Sequence, residues 1–201
     1  MKRLKDEKSY DELSKLRALE LWDSGEINRI EIGTFEGLRQ IHAKLFHDIP
    51  GYNAGTLRKV NISKDNLLFA SSLYLPQAVK AVEDLPQSTF EEIIDKYIEM
   101  NIVHPFIEGN GRATRFWLDQ ILKKELNLCI DWQRIDKQEY LDFMRLSPTN
   151  SKYIKQLLKS GLTEKIHNRE IFMKGIDKSY EYESSRAQDL STLIKSEKLD
   201  R

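Results

Sequence analysis

Cysteine is almost absent from this chain, with Cys129 alone among 201 residues. One thiol in an apolar run excludes a disulfide framework and points to a buried side chain in a reducing compartment. Net charge is missing too, because 32 basic residues balance 32 acidic ones. Without a basic field, neither nucleic acid nor an anionic membrane surface is expected as a partner. No apolar run reaches the roughly eighteen residues that a membrane-spanning helix needs. The start, Met1 to Lys8, is charged and lacks the apolar stretch of a leader. A soluble, cytoplasmic protein is therefore expected. Repeats, linkers and low-complexity stretches are also lacking, which leaves one domain over 1–201 with room for a real core.

Strand signals are nearly absent. The chain reads instead as seven or eight helices and one short β-hairpin, a compact all-α domain. Tyr10 to Ser24 has helical spacing in Leu13, Leu16, Leu19, Leu21 and Trp22, ended by Gly25. After a connector over Ile27 to Gly33, Thr34 caps a helix carrying Leu38, Ile41, Leu45 and Phe46. His42 and His47 belong to that stretch, but a spacing of five turns them to different faces and argues against a shared metal. Asp48 to Gly55 is a loop. Leu57 to Ile62 is extended, Ser63-Lys64-Asp65-Asn66 is turn-like and Leu67 to Phe69 follows, so the hairpin occupies 55–70. Leu73 to Leu85 is helical up to Pro86.

The densest chemistry lies at 104–115. Phe90 to Val103 has the spacing of a half-buried helix through Phe90, Ile93, Ile94, Tyr97, Ile98 and Ile102, with Ser88 and Glu91 as its capping box. Pro105 stops it, which leaves His104 at the helix C-terminus. Asn110 opens the next helix, running through Phe116, Trp117, Ile121 and Leu122 to about Glu125. Gly109 and Gly111 let ligand atoms approach the backbone, and the unpaired amides of a helix start attract anions. Arg112 and Arg115, three apart, project from nearly the same side and suit phosphate oxygens. Glu108 beside bound phosphates implies an intervening cation, and Mg²⁺ is the usual one. His104 titrates near neutral pH and is the natural general base. A histidine at a helix end, or Gly-Asn-Gly alone, is ordinarily structural. Base, acid, anion donors and paired arginines in one ordered run are not what a structural turn needs.

Asn127 to Trp132 follows as a short apolar connector. Asp136 and Glu139 then open a helix with Tyr140, Phe143 and Met144, broken by Pro148. Ser151 to Ser160 is helical up to Gly161. Asn168 to Arg186 is helical through Ile171, Phe172 and Ile176 and includes Ser179-Tyr180-Glu181-Tyr182-Glu183. In the tail over 187–201, Leu190, Leu193 and Ile194 form a small stripe for packing or self-association into a homo-oligomer.

The run His104-Pro105-Phe106-Ile107-Glu108-Gly109-Asn110-Gly111-Arg112-Ala113-Thr114-Arg115 resembles the signature of the Fic family, His-x-Phe-x-(Asp/Glu)-Gly-Asn-Gly-Arg-x-x-Arg, at every defined position. The resemblance implies a Fic-type fold and a nucleotidyltransferase that moves AMP from ATP to a Ser, Thr or Tyr hydroxyl of a target protein. It implies His104 as base, Glu108 as Mg²⁺ ligand, and Asn110 with the glycine amides as the α-phosphate cradle. Arg112 and Arg115 are implied as β- and γ-phosphate contacts, and Phe106 as the core residue that pins the loop. The hairpin, with Asn61, Ile62, Ser63 and Lys64 at its centre, is similar to the flaps that hold a target segment by strand pairing. Bacterial relatives modify topoisomerase subunits or small GTPases, which makes these the implied partner classes.

Ser179 and Glu183 also resemble the inhibitory Ser-x-x-x-Glu motif of Fic proteins that carry their own inhibitor, although Ser184 stands where glycine or asparagine usually follows. The resemblance points to Glu183 pairing with Arg115 in competition with γ-phosphate. Tyr180 and Tyr182 would be candidates for self-modification once that helix leaves. Other readings remain: transfer of another nucleotide, of phosphocholine or of phosphate, removal of AMP, or a non-catalytic helical interaction module. Gly111 argues against phosphate transfer, because relatives with that activity have lysine there.

Overall fold

The structure, a computed structural model, describes residues 2–64 and 67–183, with side chains from Tyr10 onward apart from Lys64 and Leu67. Asp65 and Asn66 of the expected turn, Ser184 and the apolar stripe of the tail lie outside the described residues. Eight α-helices appear among the described residues: α1 (Lys2–Asp23), α2 (Phe35–Phe46), α3 (Leu75–Glu83), α4 (Phe90–Val103), α5 (Asn110–Leu126), α6 (Lys137–Leu146), α7 (Lys152–Ser160) and α8 (Arg169–Glu181). This is the expected all-helical domain. None of these helices is long and apolar enough to cross a membrane.

The centre is α5, which packs against α4, α2 and α8. Ala113, Phe116, Trp117, Leu118, Ile121 and Leu122 are all buried, so the helix is enclosed on almost every side, as an apolar circumference requires. Trp117 also donates its indole N–H to the Thr34 carbonyl at 3.0 Å, which fixes the start of α2 against it. The expected Thr34 cap is present, its hydroxyl accepting from Gly37 N at 3.0 Å. At α4 the capping box is one residue later than expected, on Thr89 and Glu92 rather than Ser88 and Glu91. The later register sends Phe90 inward as the first helical residue.

Two other differences have physical causes. In α1, Leu13 is exposed while its neighbours Ser14 and Lys15 are buried, because this helix turns its polar stripe toward α8. There Lys15 meets Asp177 at 2.8 Å and Tyr180 donates to the Ser14 hydroxyl at 2.6 Å. The hairpin is shorter than expected. Strands β1 (Ser63–Lys64) and β2 (Leu67–Leu68) pair antiparallel with Ser63 opposite Leu68, so Ser63 and Lys64 are strand residues rather than turn. A second small ladder joins β3 (Cys129–Ile130) to β4 (Leu162–Thr163), where only a connector was expected. It is held from α5, since Asp119 accepts from Ile130 N at 3.0 Å and from the Trp132 indole at 2.9 Å.

Candidate active site

The last residue before Pro105 sets the geometry. His104 adopts a left-handed backbone, φ +50°, which turns its ring out of the helical path. The nitrogen Nδ1 lies 3.2 Å from the Asn101 carbonyl, an acceptor, so Nδ1 carries the proton and Nε2 the lone pair. Phe69, from the end of the hairpin, stacks on the imidazole at 3.7 Å and 15°. The tautomer and ring plane that a general base needs are thus set by Asn101 and Phe69.

The loop after Pro105 is braced from inside. Phe106 is fully buried and stacks on His42 at 3.8 Å, as expected of the residue that pins the loop. The Asn110 side chain accepts from Phe106 N at 2.9 Å and donates to Phe106 O at 2.8 Å. Its amide therefore closes the loop upon itself instead of pointing at a ligand. His42 accepts from Gly55 N at 2.9 Å through Nδ1, so its Nε2–H donates to the Glu108 carbonyl at 2.8 Å. Burial, helped by the nearby Arg112 charge, pushes this imidazole down to about 4 and keeps it neutral. His42 was expected to be structural, and its task is to tie the motif loop to the base of the hairpin. Gly109 has φ +76°, and a Cβ there would lie 2.5 Å from the Phe46 ring. Only glycine fits.

These elements open onto a cavity of about 420 Å³. His104, Glu108, Gly109, Gly111 and Arg115 line one wall, and Tyr140, Leu141, Met144 and Arg145 of α6 line the other. Ile62 and Ser63 of the hairpin reach its mouth. Asn61 instead accepts from Ser72 N at 2.8 Å, which ties the hairpin to the following turn. The backbone of Lys64 lies opposite Leu67.

The two arginines part company. Arg115 faces the cavity and is gripped by α8: its Nε–H donates to the Ser179 hydroxyl at 2.8 Å, and Nη2 donates to the Ser179 carbonyl at 2.8 Å and to Glu183 at 3.2 Å. Desolvation opposes its charge, but Tyr140 and Glu183 outweigh that and hold its pKa above the ordinary arginine range. Arg112 does not line the cavity. It donates to Asp11 at 2.8 Å and to the Tyr52 hydroxyl at 2.6 Å, and stands over the rings of Phe46, Tyr52 and Tyr180 at 4.9, 5.3 and 5.0 Å. Sequence reasoning missed this cage because Asp11 and Tyr52 lie far away in the chain. Both tyrosines of the α8 segment are buried, Tyr180 on Ser14 and Tyr182 donating to the Ile135 carbonyl at 3.1 Å.

Among the described residues no three histidines, cysteines or carboxylates cluster as a ready metal cage. Glu108 on the cavity wall suits a different arrangement, in which one carboxylate shares a hard cation with phosphate oxygens. The donor set fits Mg²⁺ arriving with a polyphosphate.

In this all-helical domain a buried helix that opens beside Gly109 faces a cavity lined by a histidine, a glutamate and an arginine. Residues 33–122 match the Fic/DOC family. Protein adenylyltransferase VbhT of Bartonella schoenbuchensis is 35% identical over 163 residues, covering 74% of this chain and 34% of that protein. The probable protein adenylyltransferase Fic of Escherichia coli is 31% identical over 114 residues, 51% of this chain and 56% of its own length. The chain thus spans about a third to a half of these relatives. In fold it is similar to the BepC protein of Bartonella tribocorum, solved with bound AMPPNP, with a TM-score of 0.62, 18% identity and coverage of 79% of this chain and 87% of that one. The N-terminal FIC domain of Bep8 from Bartonella sp. 1-1C gives 0.66 at 15% identity, over 83% and 88%.

Proposed function

We propose that this chain is a protein adenylyltransferase, moving AMP from ATP to a hydroxyl of a target protein. One observation carries the reading: the Nδ1-protonated His104, the carboxylate of Glu108, the Gly109 and Gly111 backbone and the Arg115 guanidinium face a single cavity. The adenylyltransferase names of the relatives support it, as does the nucleotide analogue bound in the BepC structure.

The target hydroxyl oxygen attacks the α-phosphorus, the bond from that phosphorus to the β-bridging oxygen breaks, and pyrophosphate leaves. The hydroxyl proton passes to Nε2 of His104. Backbone amides at the start of α5 hold the α-phosphate, aided by the positive end of the helix dipole. Asn110 acts from behind by keeping the loop closed. Arg115 takes terminal phosphate oxygens once Glu183 is withdrawn from it. Glu108 would hold Mg²⁺ arriving with the nucleotide, which would supply neutralisation of the phosphate charge. The hairpin over 55–70 presents the target segment, through Ile62 and Ser63 at the cavity mouth with Asn61 and Lys64 beside them. Arg112 in its cage makes no phosphate contact in this reading.

In this reading the Glu183 carboxylate takes the terminal-phosphate position and inhibits productive ATP binding until it is withdrawn, which its contact with Arg115 beside Ser179 supports. A reducing, ATP-rich cytoplasm in bacteria suits the enzyme, and topoisomerase subunits and small GTPases are the target classes to try first. The test uses ATP radiolabelled on the α-phosphate, with Mg²⁺ and a cell lysate. Glu183→Gly should label protein strongly, and His104→Ala in that background should abolish labelling. Nucleotide-independent binding to the same proteins, unchanged by His104→Ala, would favour a non-catalytic interaction module instead.

A further inference from the structure

Arg58 is an arginine without a functional assignment, and it is 3% exposed. All of its described partners are main-chain carbonyls. Its Nε–H donates to His104 at 2.8 Å, Nη1 to Val60 at 2.7 Å, and Nη2 to Val103 at 3.2 Å and to Ala70. Its own backbone N–H donates to the Pro105 carbonyl at 2.9 Å. Val60 and Ala70 flank the two legs of the hairpin, while Val103 and His104 end α4. One guanidinium therefore joins the hairpin to the helix end that carries the base.

The bonding pattern has a physical reason. The last carbonyls of a helix lack intrahelical donors and form the negative pole of its dipole, so a planar cation with five N–H groups is a fitting cap. The reach goes beyond capping, because the same fork extends to both hairpin legs. Ala70 N also donates to Ile102 O at 3.2 Å, and Phe69, next to Ala70, stacks on His104. The height of the hairpin above the imidazole is thus set through Arg58.

We propose that Arg58 is a positioning residue for transfer to protein: it fixes the hairpin against α4 so that a target strand paired to the hairpin edge places its hydroxyl oxygen within reach of Nε2 of His104 and in line with the α-phosphorus. The inference rests on the adenylyltransferase reading. It separates Arg58 from nucleotide binding, since the described hydrogen bonds of the side chain go to the hairpin and the end of α4 and not to the start of α5 or Arg115. Lysine cannot replace it, because one ammonium with three donors does not span four carbonyls on two elements.

The experiment uses the full chain in the Glu183→Gly background, with Arg58→Lys and Arg58→Ala added separately. Binding of ATP with Mg²⁺ is measured by calorimetry, and transfer by the rate at which label from the α-phosphate enters protein. Affinity for ATP should stay within about twofold while protein labelling falls by about a hundredfold in Arg58→Ala, the scale expected of a misplaced acceptor. Added methylguanidinium should restore part of the labelling in Arg58→Ala and none in His104→Ala. Labelling within about twofold of the parent in Arg58→Ala overturns the proposal, and so does a parallel fall of affinity and labelling, which marks a merely structural arginine. If Arg58→Ala gives no cooperative melting transition, Arg58→Lys decides by the same two measurements. Should Glu183→Gly with Arg58 intact label nothing, the adenylyltransferase reading itself fails and this inference with it.

Discussion

Arg115 holds Ser179 more closely than it holds Glu183. Two 2.8 Å bonds run from its guanidinium to the serine hydroxyl and carbonyl, against one contact of 3.2 Å to the carboxylate. The carboxylate stands over the glycine that opens α5: a Cβ on Gly111 would lie 2.3 Å from Glu183 Oε1. Ser179 is the anchor that seats α8 on the arginine, and in the proposed reading Glu183 fills the space a terminal phosphate would take.

Removing the carboxylate should therefore free the site without unseating the helix. Glu183→Gly is expected to raise incorporation of labelled AMP by at least about tenfold, while Ser179→Ala, which leaves Glu183 in place, raises it less. Parallel time courses of both variants with ATP and Mg²⁺ check the order. Equal rates in Glu183→Gly and the unmodified protein would show that the carboxylate does not inhibit.

Asp11→Asn tests the cage around the other arginine. Arg112 is buried and its Nε lacks a hydrogen-bond partner, so loss of the Asp11 charge leaves a poorly compensated cation. The expected loss of stability is about 2 kcal/mol, less than for a fully enclosed pair because Asp11 keeps some contact with water. Thermal unfolding should shift down by about 5 °C. The Tyr180 ring sits on the same guanidinium, so α8 should loosen and AMP incorporation should rise. Were Arg112 a phosphate contact, its cage partner Asp11 could be changed without stirring α8.

What could be read from the chain alone follows from the range of the interactions involved. The helix from Phe90, its stop at Pro105 and the restart at Asn110 depend on neighbours within one or two turns, and the periodicity displays them. Thr34 likewise caps its own helix. Cys129 pairing with Thr163 escaped notice because the ladder is pinned by Asp119 on a distant turn of α5. The early start of α1 was hidden because its first residues are charged and show no apolar period. Of the two signature arginines, Arg115 lines the cavity, whereas Arg112 is held by Asp11 and Tyr52. Arg58 had no local signal, since its acceptors are backbone atoms that any residue supplies.

His42 should make the protein acid-sensitive in a defined window. In the unfolded chain its imidazole takes a proton near the ordinary value of 6.5, and in the fold only at about 4. The folded value is the lower one, so the contribution of this residue is complete above 6.5 and is lost as pH falls toward 4. Linkage puts that loss at about 3 kcal/mol across the window. Urea unfolding at a series of pH values should show it, and His42→Phe, which keeps a ring against Phe106, should flatten the slope by close to one proton. An unchanged slope would mean that another group carries the acid sensitivity.

Gly109→Ala strikes the loop where conformation and space both exclude a side chain. The backbone at φ +76° strains any residue with a Cβ, and the added methyl would lie 2.5 and 2.9 Å from two atoms of the Phe46 ring. Phe46 has little freedom to retreat, being stacked on Tyr52 at 4.6 Å and lying beneath Arg112. The loop must move instead, carrying the Glu108 carbonyl off His42 and the first amides of α5 away from their present line. The substitution should lower stability by about 2 kcal/mol and weaken ATP binding with Mg²⁺ by at least about tenfold in the Glu183→Gly background. Calorimetry reads the second effect apart from the first, because it is done well below the melting transition. Retained affinity in a destabilised variant would place the phosphate-holding amides elsewhere than the start of α5.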